Sequence, residues 1–317
     1  MTPHRLPILA AALLATAAGA SAQSVSIENF IGRVDIVPGS ALSLEGGDPA
    51  TSRLDGSSLV VDGGESMRGL NCSTKRDTIK LRRGKGLRSK TSDLSDYPSL
   101  RITAPAGTTF EIEDSVVVGR AGDLASVDLK LPKCGRFAFG DVSGILRASV
   151  SGSADISAGR VGEARLASSG SGDFDVASAD ALEFASSGSG DLKIGSVSGP
   201  ASARSSGSGD SVIESVDGDL VFRSSGSGDL AVGRLNGAAE LRSTGSGDMT
   251  IGEGDIPTLS ARSTGSGDLS VGGRVGDADL VSIGSGDFDL ASQDGDLTYR
   301  TIGSGDVRIG GRKPAKR

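Results

Sequence analysis

Tryptophan is missing from the chain, aromatic residues make up 3% of it, and the only histidine is His4. His4 falls in a stretch read below as a removable leader, so the mature chain is expected to hold no histidine. That excludes imidazole as general base, proton shuttle or zinc ligand. Catalysis would have to rest on Asp, Glu, Lys, Arg or Tyr, and nothing in the sequence calls for a metal or another cofactor. Cysteine is nearly as scarce, with Cys72 and Cys134 alone. In an oxidising compartment an even pair reads as a disulfide. It would close a loop of about 62 residues and stabilise by roughly 4 kcal/mol on the chain-entropy model. A pair of free or metal-binding thiols is the alternative, with no histidine or further cysteine to complete a site. Long apolar runs are also missing, so no segment of the mature chain is expected to cross a membrane. The formal net charge of −7 argues against nucleic acid as a partner. Few aromatics and 49 glycines suit a narrow interior lined by aliphatic side chains.

The first residues have the layout of an export signal. His4 and Arg5 make a short basic start, Leu6 to Ala18 is apolar, and Ala20-Ser21-Ala22 is a small-residue cleavage site. Residues 1–22 are therefore expected to be removed, leaving a mature chain that starts at Gln23. No cysteine follows the site to carry a lipid.

What the chain has in abundance is a phrase, Gly-Ser-Gly-Asp. Its aspartates are Asp173, Asp191, Asp210, Asp229, Asp248, Asp268, Asp287 and Asp306, preceded by a degenerate copy ending at Asp155. The spacings are 18, 18, 19, 19, 19, 20, 19 and 19 residues. A fixed period of this length is the signature of a repeat architecture. Apolar residues recur at odd offsets from each Asp. Nine before it stand residues such as Leu182 and Leu220, and seven before it Phe184 and Phe222. One after it stand Phe174 and Leu192, and three after it Val176 and Ile194. Alternate side chains of a strand face opposite ways, so one parity points inward. The two glycines of the phrase share the inward parity, which places them at a bend with no interior room for a side chain. Ser and Asp fall on the outer parity, where they can bond turn N–H groups.

A coil of 19 residues cannot bury its inner face alone, but coils stacked at about 4.8 Å can. The period of two and the recurring glycines exclude helices. The expected fold is all-β: a right-handed parallel β-helix, or β-solenoid, of about nine or ten coils, right-handed by the crossover rule. Residues 23–135 do not follow the period, although "SVSIENFIGRVDIV" and "SLRITAPAGTTFEIEDSVVVG" read as strands. They are expected to form an irregular N-terminal β cap and first coils, pinned to the stack by Cys72–Cys134. Residues 136–311 form the repeat solenoid, and 312–317 a basic tail that discourages end-to-end growth.

Several rows could carry function. The Asp ladder is a structural turn ladder on this reading, since calcium-binding glycine-rich solenoids use a different spacing and nothing singles out one Asp as catalytic. Six before the Asp stand Arg204, Arg223, Arg242 and Arg262 in four successive coils, then Arg300 after Val281. Such a strip suits sulfate, phosphate or uronate groups on a polymer, or serves as a solvated face. A second basic group, Lys75, Arg76, Lys80, Arg82, Arg83, Lys85, Arg88 and Lys90 against Asp77, could meet a polyanion such as lipopolysaccharide. The outer Ser and Thr rows form a hydroxylated wall, mainly Ser and flanked by charge, unlike the regular threonine rows of ice-binding solenoids.

The leader, the opening "SVSIENFIGRVDIVPG", the "ITAPAG" segment and the Gly-Ser-Gly-Asp coils together resemble bacterial envelope proteins of the autotransporter-adhesin head (GIN) domain family and its β-strand-repeat relatives. The resemblance covers most of the mature chain. It implies a parallel β-helix, a surface or periplasmic location and no catalytic residues. The chain lacks a Gly-Ile-Asn triplet and any translocator barrel pattern. The reading is a non-catalytic exported envelope protein that contacts a polymer or surface protein. The alternative is a polysaccharide lyase or hydrolase on the same fold, whose cleft would need longer, looped coils than these.

Overall fold

A computed structural model describes residues 23–47, 51–75, 78–84 and 90–314. The expected leader, Arg76, Asp77, Lys85, Arg88 and residues 315–317 of the basic tail lie outside them. About two-thirds of the chain is strand, and no α-helix occurs among the described residues. The strands stack as a parallel β-solenoid with a spacing of about 19 residues.

Each repeat contributes three short rungs. The first holds the residues nine to five before the phrase Asp, as in Leu220–Ser224, which pairs in parallel with residues 201–205 and 239–243. The turn of the phrase follows. The second rung holds the residues just after the Asp, as in Leu230, Ala231 and Val232, paired with residues 211–213 and 249–251. A third, shorter contact stacks Val161, Ala179, Val197, Val216 and Leu235. The odd-offset positions face inward as the period requires: Leu182, Phe184, Leu192 and Ile194 are buried, and the even-offset neighbours Glu183, Ala185 and Lys193 are exposed. Inner volumes alternate along the stack. Ala203 lies between Phe184 and Phe222, and Ala201 between Leu182 and Leu220. Large and small side chains thus alternate in register, an arrangement suited to dense packing.

There are about 11 turns rather than nine or ten. The extra turns come from rungs that stack without the phrase. Phe110, Val127, Leu146 and Ala164 are successive partners in the first ladder, and the first two of these coils carry no copy of the phrase, even degenerate. Counting phrases misses them.

The N-terminal end is built out of chain order. Strand β1 (Ser24–Glu28) is not the terminal rung of the first ladder. It lies between β5 (Ser58–Asp62) and residues Thr109–Glu113. Strand β2 (Ile31–Pro38) likewise lies between Ser99–Ala104 and Val116–Ala121 in the second ladder. The chain thus starts one rung in, returns to lay the end rung, and then passes over its own start. Antiparallel strands close both end rungs: β3 (Ser43–Glu45) pairs with Ser99–Ala104, and β4 (Ser52–Asp55) with β5. The unpaired edge of a parallel stack is thereby covered.

Strands β6 (Leu70–Lys75), β7 (Thr78–Arg83) and β8 (Lys90–Asp93) form a separate antiparallel sheet. Its inner side chains Leu70, Ile79 and Leu81 pack with Met67 on Ile31, Val116 and Cys134 of the solenoid. The Cys72–Cys134 disulfide, with a Cα–Cα distance of 5.9 Å, ties the same sheet down covalently.

Candidate functional site

The phrase is a coil-to-coil device. Oδ1 of Asp173 accepts from the N–H of Asp191 at 2.9 Å, and the same bond repeats upward from Asp191, Asp210, Asp229, Asp248, Asp268 and Asp287 to the next Asp at 2.8–2.9 Å. Each carboxylate therefore bonds the following coil rather than its own turn. At the far end Arg308 contacts both Asp287 and Asp306 at 2.8 and 3.1 Å, and Lys313 contacts Asp306 at 2.7 Å. The N–H of Asp306, and then the Arg308 guanidinium, hold the Asp287 carboxyl below the usual carboxylate range. Among the described residues no three Asp, Glu, Cys or His side chains gather as a metal-holding cluster.

The glycines answer first to the backbone of the neighbouring coil. A Cβ on Gly207 would stand closer than 3.0 Å to the carbonyl oxygen of Gly188 one coil below, and one on Gly209 would meet Gly190 in the same way. The expected lack of room for a side chain thus holds, and its nearest cause is the backbone of the coil below. The Ser five before the Asp is buried in each coil from Ser168 to Ser282. In five of the seven its hydroxyl braces the turn: Ser263 and Ser282 donate to Gly267 and Gly286 carbonyls, and Ser186, Ser224 and Ser243 accept from the glycine N–H two residues on, whereas the Ser168 and Ser205 hydroxyls are buried without a hydrogen bond.

The outer face of the first ladder carries the arginine row. Arg204, Arg223, Arg242 and Arg262 are register partners on consecutive rungs, and Val281 and Arg300 continue the row. One carboxylate serves two of the four. Glu240 accepts from Arg223 at 2.8 Å and from Arg242 at 3.0 Å. Arg204 and Arg262 are exposed and have no ion-pair partner among the described residues. Toward the N-terminus the row gives way to Ala185 and Ala167. There an open trough of about 510 Å³ forms, lined by those alanines, by Arg204 and Arg223, and by serines including Ser169, Ser187 and Ser206. Reading arginines alone gave no sign of the trough; the sequence signal for it is the change from Ala to Arg six before the Asp, between Ala185 and Arg204.

The second basic group lies on the small antiparallel sheet. Lys80 and Arg82 are exposed on β7, and Lys75 pairs with Thr78 at the strand end. Arg83 is engaged by Glu65 at 2.7 Å and by the Ser66 carbonyl at 3.0 Å. This sheet packs on the first coils, so the structure does not bring it together with the arginine row.

Residues 220–316 match the family model described as "Putative auto-transporter adhesin, head GIN domain". The last coils are thus similar to that family. The resemblance carried by the Gly-Ser-Gly-Asp phrase holds over this stretch, just under a third of the chain. No curated protein and no solved structure matches the chain. No helix among the described residues is long and apolar enough to cross a membrane.

Proposed function

We propose that this protein is a non-catalytic, exported, adhesin-like solenoid that uses its flank to contact a polymer or surface partner, in the periplasm or on or beyond the outer surface. One observation carries the reading. At the turn of the phrase the coils present outer side chains as ladders, Asp above Asp and, two residues before it, Ser above Ser from Ser171 to Ser304, and among the described residues no three Asp, Glu, Cys or His gather as a metal-holding cluster. Repetition of that kind makes an extended contact surface, in which each coil adds a small increment. A cleft with a distinct acid and base would break it. The adhesin-family match over residues 220–316 supports the same reading.

The test is deletion of one internal repeat, residues 211–229, from the mature protein. The shortened rod should fold, and its retention on envelope polysaccharide and on intact cells should weaken without vanishing. Unsaturated products or new reducing ends released from an acidic polysaccharide by the wild-type protein, and abolished by that deletion, would overturn the proposal.

A further inference from the structure

We infer that the arginine row and the trough at its N-terminal end form a binding surface for a carboxylated polysaccharide, lying along the rod with its acid groups on successive guanidiniums. The inference rests on the adhesin-like reading and names the partner's chemistry.

Charge comes first. Four guanidiniums stand on consecutive rungs, about 4.8 Å apart by strand spacing, and the one carboxylate paired with the row, Glu240, reaches only Arg223 and Arg242. Like charges so close repel, and a structural row would be expected to interleave acids. Elsewhere this protein does so: Arg234 is partnered by Glu253 on the adjacent rung, and Arg274 by Asp255 and Asp294. Arg204 and Arg262 are left with their planar donor sets free, which is the arrangement that takes carboxylate groups two hydrogen bonds at a time. On a chain of net charge −7, this is a local excess of positive charge in a straight line.

Shape then selects the kind of anion. Beyond Arg204 the row drops to Ala185 and Ala167, and the trough there is bordered by hydroxyls. A pyranose ring can lay its apolar face on such methyl groups and its hydroxyls against serines, while its carboxylate reaches Arg204. A polyphosphate chain has charge but no flat apolar face to fill the trough. The neighbouring rung spacing is about the length of one sugar ring, so successive residues of a uronate polymer fall on successive rungs.

The experiment measures binding of the full mature chain to polygalacturonate, with neutral dextran and inorganic polyphosphate as comparisons, by affinity electrophoresis. The wild type should be retarded by polygalacturonate, less by polyphosphate and not by dextran, and added salt should release it. The double variant R204Q/R262Q should bind at least tenfold more weakly. Ala185→Glu places a carboxylate one rung from Arg204 and should weaken binding comparably. Both changes lie at exposed positions, and unchanged thermal melting would show that the rod is intact. Equal binding by wild type and R204Q/R262Q, or tighter binding of polyphosphate than of polygalacturonate, overturns the inference. Adhesion of wild type and double variant to intact cells separates the two claims. Equal adhesion sinks this surface and leaves the adhesin-like reading standing, whereas no adhesion by the wild type sinks that reading.

Discussion

Oδ1 of Asp229 accepts a hydrogen bond from the backbone N–H of Asp248 at 2.8 Å, and the two residues are equivalent positions of adjoining coils. The side chain of one repeat thereby satisfies the backbone of the next at a corner where strand pairing is interrupted. Asp229→Ala should destabilise by about 1 kcal/mol, since water can replace part of the lost bond. Asp229→Asn keeps an acceptor oxygen and relieves repulsion within the ladder, so it should cost less. Thermal unfolding of the two variants decides the point. Equal losses would show that the carboxylate's charge, not its acceptance of the Asp248 N–H, is what stabilises.

Acid should weaken the end of the same ladder in a predictable direction. The Asp287 carboxyl titrates below its ordinary value because the Asp306 N–H and the Arg308 guanidinium favour its charged form. A group depressed on folding contributes stability that is fully present above its unfolded value, about 3.9, and is lost as pH falls through the lower folded value. Wild type should therefore lose stability more steeply than Asp287→Asn between about pH 4 and pH 2. Parallel curves in chemical denaturation across that range would contradict the assignment.

Gly207 tests how closely the coils approach. A methyl there would collide with the Gly188 carbonyl, and backbone cannot move aside cheaply within a stack. Gly207→Ala should cost about 1–3 kcal/mol or more, as overpacking does. Gly107 offers the control, since nothing stands within 4 Å of a Cβ built on it. Gly107→Ala should be neutral or slightly stabilising.

These glycines also mark where the sequence was legible and where it was not. The parity of Leu182, Phe184, Leu192 and Ile194 about the phrase was sufficient to place the core, because a period of two admits one assignment of faces. The obstruction at Gly207 could not be read the same way. It depends on the carbonyl of a residue 19 positions earlier, and local parity suggested the interior instead. Strands β1 and β2 were recognisable as strands from their alternation, yet nothing in a local pattern reveals that each is sandwiched between later segments. Of the candidate surface, the arginine row was plain from its spacing. That Glu240 is shared by Arg223 and Arg242 while Arg204 and Arg262 stand free depends on rotamers across rungs, which spacing does not specify.

Core volumes should be coupled between rungs. Phe222 and Ala203 lie side by side in register on adjacent rungs, both pointing into the tube. Phe222→Ala alone should cost about 3–5 kcal/mol through the cavity left behind. Ala203→Phe alone should overpack against Phe184 and Phe222. Together the two changes exchange large and small within the pair, so the double variant should lose less than the sum of the singles. A double-mutant cycle by urea denaturation measures the difference, and strict additivity would argue against a shared, tightly packed interior.

The disulfide should act on one part of the molecule. Cys72–Cys134 joins the β6–β8 sheet to the first coils, and the buried Leu70, Ile79 and Leu81 hold the same sheet without it. Reduction should cost up to about 4 kcal/mol on the loop-entropy model. The loss should appear first in that sheet, because the parallel ladders are paired independently. Hydrogen exchange after reduction should quicken across residues 70–83 while residues 201–263 stay protected. Uniform loss of protection would mean that the sheet and the coils form one cooperative unit.

The far end of the rod provides the last test. Leu297–Gly303 is paired on one side only, and Ile302 on it is 45% exposed. Residues 310–314 turn back toward this edge. Arg312 bridges to Ile309, and the Tyr299 hydroxyl donates to the Pro314 carbonyl at 3.2 Å. A bare final rung with an exposed isoleucine is a template for another strand, and basic residues with a proline are suited to blunting it. A chain stopped at Gly311 loses both contacts and should self-associate as concentration rises, to a degree the full chain does not reach. Sedimentation velocity over a range of concentrations checks this. Identical behaviour of the two chains would mean that the fold-back is incidental and that the edge is protected by the twist and charge of the last rung itself.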